Sequence, residues 1–108
     1  MLMTTQDELA GYEITEYLGL VRGNAVRSRH IGKDILALFR NVVGGEIQEY
    51  TKLLAESREQ ALDRMVESAK SKGADGIVCI RFTTSSIMQA AAELFVYGTA
   101  VKLRKKTL

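Results

Sequence analysis

Tryptophan and proline are absent from this chain of 108 residues, and cysteine and histidine occur once each, as Cys79 and His30. A lone cysteine excludes an intramolecular disulfide framework and suits a reducing compartment. A closed zinc centre needs about four N, S or O ligands, and soft metals want thiolates, so a single chain with this content completes neither. Without an indole to stack on an isoalloxazine ring, flavin binding would fall to Tyr12, Tyr17, Tyr50 and Tyr97, which are partial substitutes. No stretch approaches the roughly 20 apolar residues of a membrane span, and "MLMTTQDELAGYE" lacks the apolar core of a signal peptide. The expectation is a cytoplasmic protein with no membrane partner. No glycine-rich phosphate loop follows a strand-like run, and no serine or cysteine nucleophile has an evident base. Glu46, Glu49 and Glu56 form a carboxylate group only on what reads as a solvated helix face. These gaps argue against an enzyme.

What is present is ordinary for a folded domain. Hydrophobic residues make up 46% of the chain and charged ones 26%, proportions that are neither disordered nor fibrous. The length allows one domain, spanning residues 1–108, with one modest core. A net charge of +2 is too near balance to favour nucleic acid. Only the end is locally basic, with Lys102, Arg104, Lys105 and Lys106, and it reads as a solvated terminus.

Along the chain, "YEITEYLGLV" from Tyr12 to Val21 mixes β-branched, aromatic and apolar residues and predicts a strand. Gly23-Asn24 suits a turn. Ile35, Leu38, Phe39 and Val42 are then spaced for a short helix ending at Gly44. From Glu46 to Lys72 the pattern predicts a long amphipathic helix uninterrupted by proline. Ile47, Tyr50, Leu54, Ala61, Met65 and Ala69 share one face, supported by Leu53, Leu62 and Val66. Acidic residues in its first turns and lysines in its last suit the helix dipole, and Gly73 suits a left-handed cap. The pair Gly44-Gly45 supplies a corner between the two helices.

Beyond Gly73, "DGIVCIRFTT" and "LFVYGTAVKL" read as an antiparallel hairpin joined by the small-residue loop "SSIMQAAAE". In the last strand Leu94, Val96 and Ala100 occupy one face, and Phe95, Tyr97, Val101 and Leu103 the other. One helix layer covers only one of these apolar faces, so a second copy of the chain is the economical cover for the other.

Cys79, between Val78 and Ile80, reads as a small buried core residue. His30 stands among Arg27, Arg29 and Lys33, whose charge disfavours a bound cation, and reads as a surface or interface histidine. These two are the only metal-site candidates. A metal cofactor is conceivable only as a site shared between subunits.

The blocks "YLGLVRGNAV", "VVGGEIQEYTKLLAESREQALDRMVESAKSKGADGIV" and "ELFVYGTAVKL" together resemble the YbjQ-like family, proteins of unknown function often labelled heavy-metal-binding. Gly44-Gly45-Glu46, Tyr50-Thr51, Gly73-Ala74-Asp75 and the run from Tyr97 to Val101 carry the resemblance, which covers nearly the whole chain. It implies an α+β, two-layer, dodecin-like β-α-α-β-β subunit. Such a subunit has a three-stranded sheet and a long amphipathic helix, and assembles into a ring of five. The expected function is that of a homo-oligomeric small-ligand-binding or scaffold protein. The alternative is a heavy-metal-binding module with sites shared between subunits.

Overall fold

The computed structural model describes residues 1–28, 48–88 and 91–107. Five elements follow one another: strand β1 (Leu2–Met3), strand β2 (Tyr12–Ser28), helix α1 (Gln48–Ser71), strand β3 (Gly76–Met88) and strand β4 (Ala91–Lys105). The strands form one mixed sheet in the order β1-β3-β4-β2, antiparallel except for β1, which runs parallel to β3. The architecture is α+β, as expected, but the sheet has a fourth strand. Two residues, Leu2 and Met3, were too short a run to signal it. The expected short helix and the Gly44-Gly45 corner lie outside the described residues, as does His30.

Helix α1 forms where its periodicity placed it. Ser57, Ala61, Met65 and Ala69 are buried on one stripe, with Leu62 and Val66 packed beside them, whereas Leu54 is 41% exposed. Three of these four buried residues are small, and Gly23 of β2 meets the helix backbone at Ala61 and Met65, so the helix approaches the sheet closely there. Its end is a Schellman turn: Gly73 has φ +76°, its N–H donates to the Lys70 carbonyl at 3.0 Å, and the Ala74 N–H donates to the Ala69 carbonyl at 3.1 Å.

Strand β2 does not stop at Val21. It continues through Gly23-Asn24 to Ser28, paired with β4 throughout, so the expected turn is absent. Gly23 has another reason to be glycine. A Cβ there would collide with the Ala61 carbonyl oxygen and stand 2.6 Å from the Met65 amide nitrogen of α1. The two bends that β2 does have are bulges, between Ile14 and Glu16 and between Tyr17 and Gly19, the latter using Gly19 at φ +101°.

The hairpin is also longer than the sequence suggested. Thr84, Ser85 and Ser86 pair with Leu94, Glu93 and Ala92, so most of "SSIMQAAAE" is strand rather than loop. The basic end is likewise ordered as strand: Lys105 pairs with Tyr12, and the Lys106 N–H donates to the Gly11 carbonyl at 2.9 Å.

The core lies between α1 and one face of the sheet, where Val21 and Ala25 of β2, Val96 and Ala100 of β4, and Ile77 and Ile80 of β3 are all buried. Asp75 ties the start of β3 into this layer. Its N–H donates to the Val101 carbonyl at 2.9 Å, and its carboxylate accepts from the Leu103 N–H at 3.0 Å.

Candidate functional surface

Side chains alternate across a strand, so the residues between the core positions of β2 and β4 point to the opposite face. The structure separates them as the sequence pattern did, with Val96 and Ala100 under the helix and Phe95, Tyr97, Val101 and Leu103 on the far side. This far face is covered unevenly. Near Gly76 the chain covers itself, with Leu103, Leu9 and the Leu2 carbonyl within 3.2 Å of where a Gly76 Cβ would stand. Val101, beside Gly76 in register, is fully buried.

Further along, the far face is partly exposed, most of all on β2. Tyr17 is 69% exposed, Leu20 62%, Val26 52% and Tyr97 37%. The Phe95 and Tyr97 rings lie 5.7 Å apart on this face, tilted by 35°. In register with Tyr97 stand Arg22 on one side and Arg81 on the other, both exposed. Arg81 is held, its guanidinium donating to the Thr5 carbonyl at 2.7 Å and to its own neighbour's carbonyl, Ile80, at 2.8 Å. The surface therefore joins aromatic and aliphatic area to fixed positive charge.

One exposed ion pair stands at the far end, Arg104 to Glu13 at 2.7 Å. Its hydrogen bond and charge hold the Glu13 carboxyl below its ordinary value, so whatever stability the pair adds is present at neutral pH and fades as acid protonates Glu13. Both side chains are largely in water, which limits that contribution.

Cys79 departs from expectation. It is half-buried rather than core, and its φ of 56° makes it the only non-glycine residue with positive φ among the described residues. It sits in the bulge where the register slips between Val78 and Arg81, and its N–H donates to the Gln6 carbonyl at 2.9 Å. The bulge lets Val78 and Ile80 both be buried while Cys79 is turned aside. A left-handed backbone is costly for a β-branched side chain and natural for glycine. Cys79→Val is therefore expected to lower stability by about 2 kcal/mol, and Cys79→Gly to change it by less than about 1 kcal/mol. Thermal melts check this, and a valine variant melting like the parent would refute the strain.

Among the described residues no group of three or more His, Cys, Asp or Glu side chains is placed to hold a metal ion. Cys79 has Val78 and Ile80 as neighbours rather than ligands, and Glu56 is exposed on the helix. The described residues do not fit a metal centre. Nor is any described helix long and apolar enough to cross a membrane.

Residues 1–104 match the model of the YbjQ family, whose description reads "Putative heavy-metal-binding". The chain belongs to this family. Relatives named UPF0145 protein are similar over most of its length. One from Dehalococcoides mccartyi strain BAV1 is 55% identical, covering 94% of this chain and 97% of its own. One from Photobacterium profundum is 56% identical, over 95% of this chain and the whole of the relative. Among solved structures, a crystal structure of a Pediococcus pentosaceus protein of unknown function has a similar fold, with TM-score 0.63 and 18% identity, covering 96% of this chain and 98% of that one. The family assignment rests on sequence, and the solved structure shows a similar fold alone.

Tyr97 stands on the far face as the strand pattern placed it, whereas Tyr17, named from sequence only as a partial flavin-stacking substitute, joins it there through the register of β2 on β4. Arg22 and Arg81 were missed. No local signal marks them, because each stands opposite Tyr97 only through the register of its strand on β4.

Proposed function

We propose that this YbjQ-family protein is a non-enzymatic, homo-oligomeric scaffold or small-ligand-binding protein in which a second copy covers the exposed part of the far sheet face. The exposure of Tyr17, Leu20, Val26 and Tyr97 on one side of a sheet carries this reading. An isolated soluble domain rarely leaves that much contiguous apolar surface in water. The shape supports it. The molecule extends 59 × 25 × 17 Å, with a radius of gyration of 17.8 Å, against about 13 Å for a compact domain of this length.

Light scattering tests the proposal. The expected mass is several times 12.0 kDa, with five subunits as the working number. Leu20→Asp should reduce it to the monomer without unfolding the chain, because Leu20 is already 62% exposed in the subunit. A parent that runs as a clean monomer at micromolar concentration would refute the reading. A thermal-shift screen of metals, nucleotides and flavins then separates ligand binding from scaffolding, since a bound ligand raises the melting temperature by mass action.

The family description favours a second reading, a heavy-metal-binding module with sites shared between subunits. Its requirement is that several chains each contribute a ligand, because the described residues of one chain supply no cluster. Stoichiometric metal per subunit or per ring in untagged protein would favour it.

A further inference from the structure

Three strands of the sheet place one row of side chains across its far face. Tyr97 of the central strand β4 pairs with Arg22 of β2 on one side and with Arg81 of β3 on the other. Residues directly opposite one another in a ladder share a face, so both arginines stand on the same side of the sheet as the tyrosine. With neighbouring strands about 4.8 Å apart, the two arginine backbones are about 10 Å apart, and Tyr97 lies midway.

Neither cation is answered by a described carboxylate. The ion pair among the described residues is Arg104 with Glu13, at the other end of the sheet. Along β4 the nearest acidic side chain on this face is that of Glu93, about 13 Å from Tyr97 at the rise of a strand, and it already accepts from the Asn24 side-chain amide at 3.1 Å. Arg22 has no hydrogen-bond or ion-pair partner among the described residues. Arg81 spends one terminal nitrogen, Nη1, on both of its carbonyl contacts, with Thr5 and Ile80. Those bonds fix the guanidinium. They leave its Nε and Nη2 donors, the pair that matches the two oxygens of a carboxylate or phosphate, without a described partner.

Between the two charges is an aromatic platform. The Tyr97 ring is 37% exposed, and the Phe95 ring lies 5.7 Å from it, tilted by 35°. Leu20, which pairs with Thr99 one step along the same face, extends the apolar area toward β2. A flat ring gains more on such a surface than an aliphatic body of the same size, because aromatic pairs add offset-stacked or edge-to-face attraction to the area they bury.

We infer that this row is a ligand site for a small aromatic oxyanion, a planar ring resting on Tyr97 and Phe95 with its carboxylate or phosphate group held by Arg81 and Arg22. This deepens, and rests on, the small-ligand-binding half of the reading above. A covering second copy fits the same chemistry. Two guanidiniums taken out of water with no counter-charge oppose such a contact, and a bound oxyanion removes that penalty. Two cations on one face make a site for a single anion rather than the track of phosphate contacts on which nucleic-acid binding depends.

Titration calorimetry with phenyl phosphate and with benzoate, at constant ionic strength, tests this, with phenol as the ring without the charge and inorganic phosphate as the charge without the ring. One of the two aromatic anions is expected to bind at least about tenfold more tightly than either control, and the one preferred shows which oxyanion the site takes. Arg22→Gln and Arg81→Gln should each weaken that binding about tenfold. Tyr97→Leu, which keeps apolar area but removes the ring, should weaken it several-fold. Nuclear magnetic resonance of the parent reads the site without any variant, since the Tyr97 and Phe95 ring protons and the Arg81 Nε–H should shift together on titration. Inorganic phosphate binding as tightly as the aromatic anions, or binding unchanged in both folded arginine variants, would overturn the inference. So would tighter binding of a short thymidine oligonucleotide. Light scattering on the same samples separates this site from the oligomeric reading. An assembled parent that binds neither aromatic anion sinks the site and leaves a scaffold. A monomeric parent with arginine-dependent binding keeps the site and sinks the oligomer alone.

Discussion

Gly23→Ala is expected to destabilise the subunit by about 3 kcal/mol, at the upper end for overpacked cores, and to lower the melting temperature by about 15 °C. The added methyl would collide with the Ala61 carbonyl oxygen and approach the Met65 amide nitrogen to 2.6 Å. Both are backbone atoms in the middle of α1, and a helix backbone cannot rotate aside as a side chain does. The helix must lift, which opens the layer holding Val21, Ala25, Met65 and Val96. Trimming the facing side chain should not help. The double variant Gly23→Ala with Ala61→Gly keeps the offending carbonyl and gains a glycine in a helix interior, so it should be no more stable than the single one. Rescue by Ala61→Gly would show that side-chain crowding sets the distance.

That glycine also marks where sequence reading failed. Gly23-Asn24 carries the ordinary signature of a turn, yet β2 passes straight through it. Glycine serves two needs, an unusual torsion or a close approach, and only tertiary packing distinguishes them. Gly73 met the first need and was read correctly, since a left-handed helix end is a local event that follows from the preceding 3.6-residue period. Gly23 met the second, which depends on a helix packed against it from a distant part of the chain.

The same division explains the hairpin and the candidate site. The face assignment of β4 was legible because period-two alternation is local. The strand character of Ser85, Ser86, Ala91 and Ala92 was not, because serine and alanine have little strand preference of their own and pair here through their partners' register. Cys79 looked like a core residue from its apolar neighbours, and the bulge that turns it aside is set by the register of β3 on β4 and by its bond to Gln6. Arg22 and Arg81 lie far apart in sequence, so nothing local joins them to Tyr97.

Val96→Asp is expected to abolish the folded subunit at neutral pH. Val96 is fully buried on the central strand β4, opposite Gly23 on one side and Phe82 on the other, beneath the stripe of α1. Apart from Ser57, the buried side chains of that layer among the described residues are hydrophobic, and an aspartate there would be an unpaired charge in an apolar site. Such a charge costs several kcal/mol, a large part of the roughly 5–15 kcal/mol that holds a typical domain together. Val96→Ala separates the charge from the lost volume, since removing two methyl-sized groups costs only about 2 kcal/mol. The pH dependence identifies the cause. Burial raises the pKa of the new carboxyl above its unfolded value of about 3.9, so the penalty is full at high pH and declines as pH falls through the raised value. Circular dichroism should therefore recover helix signal on acidification of Val96→Asp, over a range where Val96→Ala is unchanged. An aspartate variant that melts like the alanine variant at neutral pH would place Val96 in contact with water and move the core away from the α1 face of β4.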